Sequence, residues 1–372
     1  MTNLTILIKP VSGTCNMNCQ YCFYYDVMNH RELKNYGFMS EETLEQIVKR
    51  AFDYADQSVI FAFQGGEPTL IGLEFYEKLI QYVKKYNVNK IKTDFSLQTN
   101  GLKVDQEWAD FFKKHNFLIG LSLDGPKETH DRNRLDPLRQ GTYLRVNKTG
   151  QLLLKTGVDV NVLCVVSKSI ARHPAAVYRF FKKNNYKFMQ FIPCLDALGE
   201  KPGINEYSLI PEDYGDFLCG LFDLWYQDLK NGTQISIRMF DNIVQMLLGY
   251  PPESCDLVGH CSINAVIEGD GKVYPCDFYV LDEWCLGNIN INSFDELKEH
   301  SNGKQFVESS RKEEPECQSC KFYSICRTGC RRHKEPVING KLSKNYFCSA
   351  YQNFYNYTMT RFIEIANQFR TN

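Results

Sequence analysis

Leu4-Thr5-Ile6-Leu7-Ile8 opens the chain, and Cys15-Asn16-Met17-Asn18-Cys19-Gln20-Tyr21-Cys22-Phe23-Tyr24 follows six residues later. The first run is apolar or β-branched throughout, as a short buried parallel strand tends to be. The cysteines come where the chain leaves that strand, at the edge where α/β sheets carry their chemistry. Three thiolates in eight residues suit three irons of a [4Fe–4S] cube and leave its last iron open, since such cubes otherwise take four cysteines. An open coordination position marks a catalytic metal site rather than a structural one. Completed by a distant His or Cys, the same thiolates would make a zinc site. Tyr21, Phe23 and Tyr24 would shield a metal here from water.

Outward from this stretch, strand-like and helix-like patterns alternate. Apolar or β-branched runs recur at Val59–Phe63, Asp94–Leu97, Phe117–Leu123, Val158–Val166 and Phe188–Ile192. Ser40 before Glu41 and Glu42 reads as a helix start, with Leu44, Ile47, Val48 and Ala51 on one face. Leu73, Tyr76, Leu79, Ile80 and Val83 repeat that face. Further helices are predicted near 104–115, 143–156, 171–184 and 211–230. Six strand–helix units in series predict a parallel sheet with helices outside, either open or a partial barrel. The pattern breaks after about residue 235. Residues 250–350 are rich in Cys, Gly and Pro, with short strand candidates at Ala265–Glu268 and Lys272–Tyr274. Such a segment buries little apolar area and is expected to need metal to hold it together. A helix at about Tyr346–Phe369 closes the chain.

The 372 residues carry 43 Lys and Arg against 44 Asp and Glu, a formal net charge of -1. No overall field draws such a chain to nucleic acid or to anionic lipid. Its 43% hydrophobic content supports a sizeable core, which excludes global disorder. No apolar run is long enough to span a membrane. The first residues lack the charged start, long apolar run and cleavage site of an export signal, so a cytoplasmic location is expected. Fifteen cysteines are then a poor disulfide framework, because cytosolic thiols stay reduced. Cys164, Cys194, Cys219 and Cys285 stand alone and read as small buried hydrophobes.

Eight others fall in two interleaved sets between Cys255 and Cys348. Cys255, Cys261 and Cys276 come first, then Cys317-x2-Cys320-x5-Cys326-x3-Cys330, and finally Cys348. Two sets of four thiolates suit two fully ligated iron–sulfur clusters or two zinc sites, since both metals accept four thiolates. Asp277 directly follows Cys276. A carboxylate beside a partly buried cluster has reason for a raised pKa, which favours proton uptake near neutrality.

Cys15-x3-Cys19-x2-Cys22, with Tyr21 before its last cysteine and a strand before its first, resembles the signature of the radical S-adenosylmethionine superfamily. The resemblance implies a partial (β/α)6 TIM-like barrel, predicted over residues 1–235. It implies a cluster on these cysteines whose open iron chelates S-adenosylmethionine. One electron then cleaves that cofactor, and a 5′-deoxyadenosyl radical takes a substrate hydrogen. Gly65-Gly66-Glu67-Pro68 is similar to the superfamily's GGEP loop, in which the glycines allow close approach to a ligand and Glu67 supports the methionine ammonium. Ser122 would reach ribose or methionine, and Arg134 would fork onto the cofactor carboxylate. Leu195 and Tyr24 match positions of adenine contact.

The later cysteines resemble the SPASM extension of peptide-modifying radical enzymes, predicted over 236–348, with a C-terminal helix at 349–372. By that pattern one auxiliary [4Fe–4S] cluster takes Cys255, Cys261, Cys276 and Cys330. The other takes Cys317, Cys320, Cys326 and Cys348, which makes three clusters in all. Across CNMNCQYCFY, AFQGGEPTL, SLQTNG, GLSLDGP, QFIPCLD, SIRMFD and YPCDFYVLDEWCLGNI, the chain resembles the anaerobic sulfatase-maturating enzymes. This implies oxidation of a Cys or Ser, in a CxPxR- or SxPxR-like sulfatase motif, to Cα-formylglycine (3-oxoalanine). Asp277 would accept the proton and the auxiliary clusters the electron. The partners implied are a sulfatase polypeptide and a small electron donor such as flavodoxin or ferredoxin, with no nucleic acid and no membrane. A monomer is expected, because no heptad or large apolar stripe demands a partner.

Two other readings stand beside this one. A SPASM enzyme that forms thioether or carbon–carbon crosslinks in a ribosomal peptide is expected to carry a leader-binding extension before its first cysteine motif, where this sequence has 14 residues. A non-catalytic iron–sulfur carrier or zinc-bound interaction protein would have no use for an open three-cysteine site. The sequence leaves the choice between Cys and Ser open.

Overall fold

The structure, a computed structural model, describes residues 1–311, 315–338 and 341–371. The expected helix end at residue 372 lies outside them. Strand β1 (Asn3–Ile8) buries Leu4, Ile6 and Ile8 and pairs in parallel with β2 (Ser58–Phe63). The parallel order continues through β3 (Lys92–Thr99), β4 (Phe117–Ser122), β5 (Asp159–Val166) and β6 (Phe188–Pro193). Each strand is reached through helix, as parallel neighbours require. Ser40 caps helix Glu41–Tyr54, its Oγ accepting the Thr43 N–H at 3.2 Å, and Leu44, Ile47, Val48 and Ala51 are fully buried. Helices Gln106–Lys114, Tyr143–Thr156, Pro174–Lys183 and Pro211–Lys230 lie where the apolar period places them.

Parallel pairing runs past residue 235, where the sequence pattern stops. β7 (Ser236–Ile237) joins β6. Helix Arg238–Leu247 follows, and its Phe240 packs on Phe222 and on Phe354 and Phe362 of the closing helix Cys348–Thr371. A two-residue strand carries no readable period, so the sequence gives no sign of this step.

On the other side, β8 (Val266–Ile267) pairs in parallel with β1, Leu7 opposite Val266 and Ile8 opposite Ile267. It turns back antiparallel into β9 (Lys272–Tyr274) and then β10 (Gly287–Asn288). The cysteine-rich region therefore extends the barrel sheet. The order is β10-β9-β8-β1-β2-β3-β4-β5-β6-β7, so the barrel stays open and partial. Two helices also stand where only short strands were foreseen, Phe294–Glu299 on a Ser293–Glu296 capping box and Ser301–Ser310. Of the four solitary cysteines, Cys164 and Cys194 are buried, whereas Cys219 and Cys285 are only half-buried.

Candidate functional site

The loop leaving β1 brings Cys15, Cys19 and Cys22 within electrostatic reach of one another. Burial pushes the Cys19 thiol up to about 12 against the pull of the Arg134 guanidinium. Thiols so placed become thiolates when a metal replaces their protons. The Met17 N–H already points at the Cys15 sulfur, 3.4 Å away.

The loop after β2 supports this one. Gly66 has φ 54°, and a Cβ there would stand 2.2 Å from the Thr14 carbonyl oxygen. A Cβ on Gly65 would stand 2.5 Å from Cε of Lys9. These glycines, read from the sequence as room for a ligand, give room to the cysteine loop and to Lys9. Glu67 is fully inside. Its Oε1 accepts from Thr69 N, Thr69 Oγ1 and Thr99 Oγ1 at 3.1, 2.6 and 2.7 Å, and its Oε2 accepts from Asn100 N at 2.7 Å. Asn100 in turn aims Nδ2 at the Cys15 sulfur, 3.7 Å away. Glu67 thus acts through the loops it fastens, and Asn100 is a site residue the sequence reading did not single out.

Arg134 is buried rather than solvated. Its Nε pairs with Asp124 Oδ2 at 3.0 Å, its guanidinium lies 5.5 Å from the Tyr21 ring centre, and it acts on Cys19. Asp124 also accepts from Tyr21 Oη and, at 2.9 Å, from Val165 N. Ser122 ends β4 two residues before Asp124 and is buried. Leu195 follows β6 and faces a cavity shared with Asp196, Glu200 and Arg332. Arg134 and Asp124 tie the end of β4 to the cysteine loop through Cys19 and Tyr21, and Val165 brings β5 to the same Asp124.

Asp277 arrives from the far region of the chain, in a 3-10 turn after Cys276. Its Oδ2 accepts from Tyr24 Oη at 2.7 Å and from Gln64 Nε2 at 2.6 Å. Its Oδ1 is buried and has no hydrogen-bond partner among the described residues. Phe23 packs on Phe278 with ring centres 4.7 Å apart, which fixes this turn against the helix that starts at Phe23. Burial raises the Asp277 pKa above the usual carboxylate range, against the opposing pull of Lys9, Tyr24 and Gln64. The carboxyl therefore sits between the loop of Cys22 and the loop of Gly65.

The remaining cysteines gather around two spaces. Cys255, Cys261, Cys276 and Cys330 border one of ≈ 520 Å³, mouth included. Cys317, Cys320, Cys326 and Cys348 border another of ≈ 680 Å³. Among the described residues, no three His, Cys, Asp or Glu side chains close on a single-ion position. Burial pushes the Cys330 thiol up to about 12, and the Arg332 N–H, donating to its sulfur at 3.4 Å, opposes that shift only in part. The donor sets fit iron–sulfur cubes better than zinc ions.

Residues 10–175 match the Radical SAM superfamily, and residues 259–321 match SPASM, an iron-sulfur cluster-binding domain. Fold and site together define a radical S-adenosylmethionine enzyme with an iron–sulfur extension. The cysteine-type anaerobic sulfatase-maturating enzyme of Clostridium novyi (strain NT) is 47% identical over 366 residues, 98% of each chain. That of Clostridium perfringens (strain 13 / Type A) is 46% identical over 370 residues, 100% of each. The solved structure of native anSMEcpe with bound AdoMet and Cp18Cys peptide has TM-score 0.95 and 46% identity, over 99% of this chain and 100% of that one. The chain belongs to the anaerobic sulfatase-maturating enzymes. It is an oxidoreductase that generates formylglycine by radical chemistry, with S-adenosylmethionine, a [4Fe–4S] cluster and auxiliary iron–sulfur clusters as cofactors.

Proposed function

We propose that this enzyme oxidises a cysteine of a sulfatase polypeptide, presented as an extended segment, with Asp277 as the proton acceptor. The cysteine-type names of the two relatives and the Cys peptide in the similar structure support a thiol substrate. The observation that carries the base assignment is the divided state of Asp277: one oxygen clamped by Tyr24 and Gln64, the other buried and without a hydrogen-bond partner among the described residues.

Cys15, Cys19 and Cys22 would hold the cluster that binds S-adenosylmethionine, with Tyr24, Gly65, Gly66, Glu67, Ser122, Arg134 and Leu195 as the surroundings of that cofactor. Cys255, Cys261, Cys276 and Cys330 would hold one auxiliary cluster, and Cys317, Cys320, Cys326 and Cys348 the other. When bound, these groups supply the radical that removes a Cβ hydrogen and the sink for the electron left behind. The protein's task is to take the thiol proton as CH2SH becomes CH=S, before water replaces the sulfur. Oδ1 of Asp277 takes that proton, while Tyr24 and Gln64 keep the carboxyl from turning away. A carboxyl whose pKa is raised by burial accepts a proton more readily than an exposed one. A flavodoxin- or ferredoxin-type protein provides the starting electron, and the enzyme works as a cytoplasmic monomer.

The test is anaerobic incubation of the reconstituted, reduced enzyme with S-adenosylmethionine and a Cys-type sulfatase peptide. The expected product mass is that of CH2SH converted to CHO. Deoxyadenosine without that change moves the activity to another peptide, and neither product removes the cluster assignment.

A further inference from the structure

Cys326 and Cys330, placed above in different quartets, are joined by Arg327, Thr328 and Gly329, with φ of 45°, 70° and 73°. A β-branched residue such as Thr328 rarely takes this left-handed conformation, and it is costly to hold there. The turn directs the Thr328 N–H at the Cys326 sulfur and brings Thr328 Oγ1 to Lys334 Nζ, 2.7 Å away. Lys334 ends the single turn Arg331–Lys334 that begins just after Cys330.

Lys334 is 4% exposed. Among the described residues no carboxylate pairs with it. It borders the space of the Cys317–Cys348 quartet. Burial pushes its pKa down, and the sulfurs that oppose this and favour its ammonium come from both quartets, Cys261 and Cys330 from one and Cys317 and Cys326 from the other. A buried ammonium without a counter-charge is strongly disfavoured. The anions available to it are the ligand thiolates on either side.

We infer that Lys334 is the shared counter-cation of the two auxiliary clusters and raises the reduction potential of both. This rests on the cluster assignment proposed above. A cluster held by four thiolates gains negative charge on reduction, and net charge and local donors set its potential. A fixed cation in a low-dielectric interior favours the reduced state. In the reaction, this makes the auxiliary clusters better acceptors for the electron leaving the substrate carbon. Lys334 is a positioning charge, acting through the clusters and touching no substrate.

The experiment is a redox titration of the anaerobically reconstituted enzyme, followed by electron paramagnetic resonance, for wild type, Lys334→Met and Lys334→Arg. The expected result is a downward shift of the auxiliary midpoint potentials in Lys334→Met at full iron content. The cluster on Cys15, Cys19 and Cys22 should be unmoved, and Lys334→Arg should return the auxiliary potentials toward wild type. Unshifted auxiliary potentials at full iron overturn the inference. If Lys334→Met loses iron, Lys334→Gln keeps a donor for Thr328 and carries the same expectation; loss of iron there too reduces Lys334 to a structural part and overturns it. A wild-type protein with only about four irons and no auxiliary signal would instead overturn the cluster assignment.

Discussion

Asp277 has two unlike oxygens, and its substitution separates two halves of the reaction. Asp277→Asn keeps the shape of the group and leaves the three-cysteine loop untouched. It is expected to cleave S-adenosylmethionine at near the wild-type rate. Aldehyde yield should fall by about 10²–10⁴-fold, the usual worth of a positioned base. Deoxyadenosine and aldehyde measured in one reaction check this, and an unchanged ratio removes Asp277 from the mechanism. Asp277 was legible in the sequence because it abuts Cys276. The sequence marks Tyr24 as a shield beside the cysteines and as a position matching adenine contact, but not as a partner of Asp277, to which its hydroxyl donates. Gln64 lies 213 residues from Asp277, and Asn100 lies 85 from Cys15. Such residues show their work only once distant loops meet, so no local pattern marks them.

The same lesson holds at the scale of elements, where the length of a segment decides how much can be read. The Ser40 cap and the buried face from Leu44 to Ala51 span several turns, enough for period and capping chemistry to agree. β7 and β8 have two residues each; β8 falls within the strand candidate Ala265–Glu268, whereas β7 shows only through its pairing with β6. The β2 loop lies between these cases. Its glycines are visible in the sequence, but their neighbour is not. Gly66→Ala would put a Cβ 2.2 Å from the Thr14 carbonyl oxygen at φ 54°. The neighbouring atom is backbone, so the loop carrying Cys15 must shift. The variant is expected to lose about 1–3 kcal/mol and about four irons, those nearest Cys15, while keeping auxiliary iron. Iron content with deoxyadenosine yield tests this. Full iron and normal cleavage would mean that the loops yield without disturbing the site.

Across the whole molecule, the barrel and the cysteine-rich region are joined by the β1–β8 pairing and by a buried charge cluster beside it. Glu268 Oε1 accepts from Lys9 Nζ at 2.6 Å and from Arg31 Nη1 at 2.8 Å. Burial alone would raise the Glu268 pKa, yet Lys9 and Arg31 outweigh it and hold the carboxyl below its ordinary value. A group whose pKa is depressed by folding stabilises the fold fully above its unfolded pKa, about 4.3 for glutamate. That stabilisation is lost as pH falls through the lower, folded value. Glu268→Gln strands two cations in the interior and is expected to cost about 3–5 kcal/mol near neutral pH. The loss should narrow on acidification below about pH 4, as the wild-type carboxylate is itself protonated. Melting temperatures of both proteins over that range measure the gap. A gap independent of pH would mean that the side chains' shape, rather than their charge, holds the junction. Lys9 also lies 5.0 Å from the centre of the Tyr24 ring, and Tyr24 holds Asp277. A loosened junction should therefore lower aldehyde formed per S-adenosylmethionine cleaved, because the base moves before the cysteine loop does.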